Sequence, residues 1–139
     1  MYSDEYFMNI AYKEALKAFN KNEIPIGAVL VKDNKIVSKA HNMRDSSNII
    51  TKHAEIIAIE KANKKLNNWR LIDTTLYTTL EPCSMCYEVI KASKIKKVVF
   101  GAKSTNKYTG EIVMNQIDNK QITKKCEKII SDLFKALRY

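Results

Sequence analysis

The apolar residues at the start of the chain recur at the spacing of an amphipathic helix. Six positions within residues 3–21 form this stripe: Phe7, Ile10, Ala11, Leu16, Ala18 and Phe19. Spacings of three and four residues place such side chains on one helical face, and the polar string N-K-N-E before Pro25 ends the pattern. We therefore predict a helix over 3–21 that covers one face of a sheet.

The pattern then changes to short runs rich in β-branched residues. I-G-A-V-L-V and K-I-V-S-K-A are separated by K-D-N, in which Asp33 and Asn34 supply turn chemistry. This spacing predicts a hairpin over 26–40. The periodic run A-E-I-I-A-I-E-K-A that follows predicts a helix over 52–66, with Thr51 as its N-cap.

The second half of the chain alternates strand and helix patterns. Short apolar runs predict strands at 74–79 and 97–102 with a helix over 83–93 between them, which favours parallel pairing. A closing amphipathic helix is predicted over 121–137. Its apolar face would comprise Ile122, Cys126, Ile129, Ile130, Leu133, Phe134 and Leu137. This order predicts an α/β fold, a three-layer α/β/α sandwich around a mixed central sheet of about five strands.

Composition narrows the class of protein. A length of 139 residues predicts one domain over 1–139, and 45% hydrophobic with 28% charged residues is typical of a globular chain. The sequence has no apolar run of about 18 residues that could span a bilayer, and no basic start followed by an apolar segment with a small-residue cleavage site. We therefore expect a cytoplasmic location and no membrane partner. The three cysteines predict no disulfide, with Cys126 as a small buried hydrophobe.

The net charge of +9 is compatible with a nucleic-acid partner, because lysine and arginine neutralise phosphates. However, the basic residues are 21 lysines and 3 arginines, and arginine is the better reader of bases and phosphates. The charge alone therefore does not establish an RNA partner.

Two short strings carry the candidate chemistry. T-K-H-A-E-I-I-A contains His53 and Glu55, and L-E-P-C-S-M-C contains Cys83 and Cys86, so the pattern is H-x-E followed by P-C-x-x-C. A catalytic zinc has three protein ligands and an open position for water, whereas a structural zinc has four. One His and two Cys predict the open type. We expect both strings at helix N-termini, with Pro82 in a first helical turn and the two thiols one turn apart.

Each string also has a simpler interpretation. C-x-x-C alone can be a redox pair or two buried thiols, and a lone histidine is more often an ordinary polar residue. The combination favours a metal site. His41, the other histidine of the chain, could still close the zinc as a fourth ligand.

Further strings recur in an order that resembles a known family. They are E-I-P-I-G-A-V-L-V at 23–31, A-H-N at 40–42, N-W-R-L at 68–71, T-L-Y-T-T-L-E-P-C at 75–83 and K-V-V-F-G-A at 97–102. With the zinc strings, they resemble the cytidine-deaminase-like zinc hydrolases and, among these, the bacterial tRNA adenosine deaminases, over about residues 3–138. The resemblance implies a cytidine deaminase-like fold, one Zn²⁺ per subunit, a homodimer, and hydrolysis of wobble adenosine in the tRNA anticodon arm to inosine.

The resemblance also implies roles for individual residues. His53, Cys83 and Cys86 would hold the zinc, and Glu55 would transfer protons as the acid and base. The substrate pocket would comprise Asn42 against the nucleoside, Ile26 against the base, and the backbone of Ala54, Leu80 and Glu81. Asn42 has a competing interpretation as a turn residue, and Ile26 has one as plain core.

Several positions depart from the tRNA deaminase pattern. Ser104 occupies the place of a usual acidic residue, Tyr108 replaces a usual glycine, and the 115–125 segment is shorter. Tyr87 and Glu88 replace small residues in a region that contributes to the dimer in relatives. Two alternatives therefore remain open, which are a deaminase of a free base, nucleoside or nucleotide such as guanine, cytosine or deoxycytidylate, and a zinc-stabilised binding module without catalysis.

Overall fold

A computed structural model describes residues 1–105, 110 and 112–137, with the side chain of residue 137 excluded. The elements of this part of the chain, in order, are α1 (Asp4–Asn20), β1 (Gly27–Lys32), β2 (Lys35–His41), α2 (Arg44–Ser47), α3 (Ala54–Leu66), β3 (Thr74–Leu80), α4 (Ser84–Ala92), β4 (Lys97–Ala102), β5 (Val113–Gln116) and α5 (Lys120–Leu137). The strands form a mixed sheet in the order β2-β1-β3-β4-β5. β1 is antiparallel to β2 and β3, whereas β4 is parallel to β3 and β5.

The sheet separates two apolar clusters, because successive side chains of a strand point to opposite faces. In β1, Ala28 and Leu30 join α3 and α4 in one cluster. Val29 and Val31 join α1 and α5 in the other. The predicted three-layer sandwich is therefore confirmed. No helix in the described residues is long and apolar enough to cross a membrane.

The predicted hairpin and strand-helix-strand unit are also confirmed. Asp33 and Asn34 both have positive φ, at 53° and 59°, and form the two-residue turn between β1 and β2. Two positive φ values give a turn whose twist matches that of the paired strands. β3 and β4 run parallel with α4 between them.

The starts of the two ligand-bearing helices differ from the prediction. The N-cap of α3 is His53, not Thr51, and the N-cap of α4 is Cys83, so Pro82 precedes that helix instead of lying in its first turn. Both N-cap residues have extended backbone, and neither side chain caps its own helix. The physical reason is that the imidazole and the thiol are directed toward each other across the two helices.

The apolar face of α5 is narrower than predicted. Ile122, Cys126, Ile129 and Leu133 are buried and lie on one line along the helix. Phe134 is half exposed, because it is rotated about 100° from that line and falls beside the contact with the sheet. Leu16 of α1 is also exposed. Cys126 is a buried free thiol as predicted, and burial raises its pKa to about 11.

Two short elements were not located from the sequence. β5 has four residues, two of them amides, and none of its side chains is fully buried. α2 has four residues and buries none of them. Neither carries an apolar pattern of its own, and β5 is defined by its pairing with β4.

Gly27 sets the separation between α1 and the sheet. A Cβ at this position would lie 1.9 Å from the Ala11 carbonyl oxygen and 2.6 Å from the Ala15 backbone nitrogen. Both neighbours are backbone atoms of α1, so a side chain cannot be accommodated by a change of rotamer. The helix therefore rests directly on the first residue of β1.

We predict that Gly27→Ala destabilises the protein by at least about 2 kcal/mol, because α1 must move away from the sheet. Urea unfolding followed by circular dichroism measures the loss. Lys39→Ala, at an exposed position of β2, serves as the control and should change stability by less than about 0.5 kcal/mol. Equal midpoints for Gly27→Ala and the wild type would contradict this account.

Candidate active site

The N-termini of α3 and α4 bring the zinc-type residues together. The His53 Nδ1 atom lies 3.4 Å from the Cys86 sulfur and 3.7 Å from the Cys83 sulfur, and the three ligand atoms lie within 4.8 Å of one another. Zinc bonds of about 2.3 Å to sulfur and about 2.0 Å to nitrogen place tetrahedral ligands about 3.5 Å apart. The donors therefore fit a single zinc ion.

His41 is not part of this group. Its Nδ1 atom lies 3.4 Å from Glu14 Oε1, and its Nε2 atom lies 3.2 Å from Lys21 Nζ. Among the described residues, the donor group contains His53, Cys83 and Cys86 and no fourth His, Cys, Asp or Glu. The geometry favours the open site and not the closed site with His41.

Glu55 is buried beside these donors. Its side chain is 3% exposed, and Oε1 has no hydrogen-bond partner among the described residues. Burial raises the pKa of Glu55, although a side-chain hydrogen bond with Cys86 opposes this rise. Burial, together with the charges of Glu55 and Cys83, raises the pKa of the Cys86 thiol. A divalent cation here would favour thiolate over thiol, so the donor set fits zinc.

Arg44 also affects the site, although no role was assigned to it from the sequence. Burial lowers the pKa of His53, and the positive charge of Arg44 lowers it further. A neutral imidazole is the form that binds a metal. The string A-H-N-M-R gives no signal for this effect, because the proximity of Arg44 to His53 depends on the path of the intervening loop.

Asn42 and Ile26, two of the predicted pocket residues, lie next to each other. The Asn42 backbone N–H donates to the Ile26 carbonyl oxygen at 3.1 Å. The buried Asn42 side chain accepts from the Arg44 N–H at 3.1 Å and donates to the Ile24 carbonyl at 3.4 Å. The half-buried Ile26 packs against the cluster that contains Ala54. Asn42 therefore makes a turn contact here, and its contact with a nucleoside stays a prediction.

The other predicted pocket residues divide between two faces of the sheet. Ala54 is buried at the start of α3, whereas the Leu80 side chain packs into the cluster of α1 and α5. Leu80 can therefore reach the Ala54 side of the sheet only through its backbone. Glu81 Oε1 accepts from the Ser104 N–H at 3.0 Å and from the Ser104 hydroxyl at 3.2 Å. Tyr108 lies outside the described residues.

Fold and site together define a class of protein. A mixed sheet sandwiched by helices, with one imidazole, two thiols and a buried carboxyl at two adjoining helix N-termini, is the arrangement of the zinc-dependent deaminases. The family model for the cytidine and deoxycytidylate deaminase zinc-binding region matches residues 1–102, and the chain belongs to this family.

Relatives within that family narrow the assignment. The tRNA-specific adenosine deaminase of Buchnera aphidicola subsp. Schizaphis graminum is 43% identical, over 98% of this chain and 97% of the relative. A structure from studies of A-to-I editing by tRNA:A34 deaminases is 31% identical with a TM-score of 0.75, over 81% of this chain and 98% of that one. Guanine deaminase from Bacillus subtilis is 40% identical with a TM-score of 0.71, over 75% and 67%. The resemblance to tRNA adenosine deaminases is confirmed.

We predict that Cys86→Ser lowers zinc affinity by more than about 100-fold, because a direct zinc donor is removed. Loss of a residue that only hydrogen-bonds to a metal ligand typically lowers affinity by about 10- to 100-fold. Competition with a chromophoric chelator measures the affinity. His41→Ala is the matched control and should bind zinc as the wild type does. An equal loss in both variants would show that His41 is a ligand and that the site is closed.

Proposed function

We propose that this protein hydrolyses the wobble adenosine of a tRNA anticodon arm to inosine and ammonia, with one zinc ion per subunit. The observation that carries the proposal is the buried, unpartnered oxygen of Glu55 beside the donor set of His53, Cys83 and Cys86. A structural zinc site needs no such carboxyl group, whereas a hydrolytic site needs a group that moves protons. The tRNA-specific adenosine deaminase relatives support the choice of substrate.

In this proposal His53, Cys83 and Cys86 hold the ion. Zinc held there would lower the pKa of water toward 7 and so supply hydroxide at neutral pH. Among the described residues, no fourth His, Cys, Asp or Glu joins the three donors. The N-terminal position of both thiols on α4 adds positive potential from the helix, which favours their anionic forms.

Glu55 would perform the proton transfers. Its carboxylate would accept a proton from water and deliver it to a ring nitrogen of the base as the water oxygen bonds to C6. It would then take the proton of the new C6 hydroxyl and give it to the amine as the C6–N bond breaks. Adenosine and water thereby give inosine and ammonia. Burial keeps bulk water from the carboxyl group, so the proton stays available for the reaction.

The substrate-binding residues would be Asn42, Ile26, Ala54, Leu80 and Glu81. Ile26 would supply an apolar wall for the base, and the backbone of Ala54, Leu80 and Glu81 would supply polar contacts at its edge. The Asn42 amide is the group that would contact the nucleoside. An anticodon-loop base suits this pocket, because a single-stranded base costs little free energy to extrude.

Assembly and location complete the proposal. We expect a homodimer, one deaminase domain over 1–139, and a cytoplasmic location where tRNA is available. Light scattering tests the dimer. Tyr87 is buried within its own subunit, and Glu88 pairs with Lys91 at 3.1 Å, so neither bulky residue at these positions requires a partner subunit for its placement.

A free nucleobase is the second candidate substrate. The 40% identity to a guanine deaminase favours this candidate. Ser104 also favours it, because it departs from the tRNA deaminase pattern and bonds to Glu81 of the proposed pocket. The same zinc chemistry would serve either substrate. A binding module without catalysis is less well supported, because it leaves the buried Glu55 carboxyl without a role.

We predict that Glu55→Gln retains zinc but lowers turnover by at least about 100-fold, because the amide cannot accept and return a proton. Single-turnover kinetics and metal analysis measure the two properties. Glu60→Gln, at a half-exposed position of the same helix whose contact with Lys52 an amide oxygen can retain, should keep both. Turnover within threefold of the wild type in Glu55→Gln would refute the proton-transfer role.

We predict inosine at the wobble position of an anticodon stem-loop RNA incubated with zinc-loaded protein. Nuclease digestion and mass spectrometry detect the product, and Glu55→Ala should form none. A parallel panel contains guanine, cytosine, adenosine and deoxycytidylate. Ammonia release from a member of this panel, with no inosine in the RNA, would replace the tRNA assignment with the second candidate.

A further inference from the structure

Glu23 is buried at a position where its negative charge does not stabilise α1, the nearest helix. It follows the C-terminal end of α1, where its N–H donates to the Ala18 carbonyl at 3.0 Å, and its side chain is 1% exposed. A carboxylate is unfavourable beside a helix C-terminus, which carries partial negative charge. No ion pair within the described residues includes Glu23. Its location therefore requires another explanation.

The Glu23 carboxylate binds two consecutive backbone N–H groups of a distant segment. Oε1 accepts from the Ser46 N–H at 2.6 Å, and Oε2 accepts from the Asp45 N–H at 3.2 Å. Both donors belong to the first turn of α2, whose N–H groups have no partner within that short helix. Hydrogen bonds to an ionised acceptor are about twice as strong as neutral ones.

Residues 42–52, the segment that Glu23 binds, connect Asn42 of the predicted substrate pocket to His53 of the zinc site. We call this segment, which includes α2, the 42–52 loop. It begins at Asn42, whose backbone and side chain bond to residues 26 and 24. Its ends meet where the Met43 N–H donates to the Lys52 carbonyl at 2.9 Å, directly before His53. Arg44, which lowers the pKa of His53, lies in the same loop.

We propose that Glu23 is a positioning residue whose buried carboxylate fixes the 42–52 loop, and with it Asn42, for substrate binding at the zinc site. This inference rests on the proposed function. Residues 23–26 then act as one anchor, in which Glu23 holds the middle of the loop and the carbonyls of Ile24 and Ile26 hold its first residue. The zinc donors and Glu55 lie at the starts of α3 and α4, and the hydrogen bonds of the Glu23 carboxylate in the described residues go to residues 45 and 46, not to them.

Glu23→Gln tests the proposal, because it preserves the side-chain shape but directs an amide NH₂ at one of the two N–H donors. We expect amide hydrogen exchange in the 42–52 loop to rise about tenfold, which corresponds to the loss of one hydrogen bond. We expect the KM for the stem-loop RNA to rise about tenfold and kcat to stay within about threefold, because substrate positioning is lost and the chemistry is not. Zinc content should not change.

A second pair of variants changes the donor instead of the carboxylate. Ser46→Pro removes the N–H that binds Oε1, and Ser46→Ala removes the hydroxyl and keeps that N–H. Ser46 is exposed, so both variants should fold even if Glu23→Gln does not. The proposal expects the rise in KM and in exchange for Ser46→Pro and not for Ser46→Ala.

Glu14→Gln controls for the loss of a buried carboxylate. Glu14 is 4% exposed and binds the side chains of Lys17 and His41, with no contact to the 42–52 loop among its hydrogen bonds in the described residues. The Glu14→Gln variant should have a KM within about twofold of the wild-type value. Normal KM and normal loop exchange in the Glu23 and Ser46→Pro variants, with or without lower stability, would overturn the positioning role.

The test also separates this inference from the proposed function. Hydrogen exchange requires no substrate, and the kinetic comparison uses whichever substrate the wild type deaminates. If the wild type acts on a free base and not on RNA, the tRNA assignment fails. The Glu23 variants would then be compared on that base, and an unchanged KM would overturn the positioning role separately.

Discussion

The convergence of two helix N-termini is the constraint on which the rest of the structure depends. α3 and α4 pack in the same apolar cluster on one face of the sheet, so their first residues meet. Each helix begins with a metal-type donor as its N-cap, in extended backbone and without a capping bond of its own. N-cap side chains commonly accept hydrogen bonds from backbone N–H groups of their own helix. His53 and Cys83 do not, and their side chains face each other instead. The H-x-E and P-C-x-x-C spacings have chemical meaning only because the sheet aligns these two helices.

This arrangement links folding to the metal. A thiol with a raised pKa, a second thiol, an imidazole with a lowered pKa and a buried carboxyl lie together at the two helix N-termini. Burial of these polar groups is unfavourable in isolation. A bound zinc ion would coordinate all three donors at once. Because the unfolded chain has no such preformed site, the free energy of zinc binding would also stabilise the fold. On the opposite face of the sheet, the absence of a Gly27 side chain lets α1 pack directly against β1.

The candidate catalytic groups and the predicted substrate contacts lie in different parts of the molecule. The zinc donors and Glu55 lie at the starts of α3 and α4, whereas Asn42 and Ser104 lie in connecting segments and Arg44 begins the short helix α2. Loops carried by a rigid scaffold can change substrate without a change in the reacting centre. The family illustrates this division, because the relatives include a tRNA-specific adenosine deaminase and the similar structures include a guanine deaminase. Ser104, which bonds to Glu81, lies in one of these connecting segments.

The sandwich, most helices and strands, and the candidate donor set of His53, Cys83 and Cys86 were predictable from local patterns in the sequence. This is because hydrophobic periodicity and short ligand spacings are local properties of a chain. The sequence did not determine that His53 and Cys83 are N-caps, that β5 pairs with β4, or that Phe134 is exposed. Nor did it assign any role to Glu23 or Arg44. Those features depend on which distant segments meet, and only the tertiary structure decides that, because a hydrogen bond between residues 23 and 46 leaves no periodic signal in the chain.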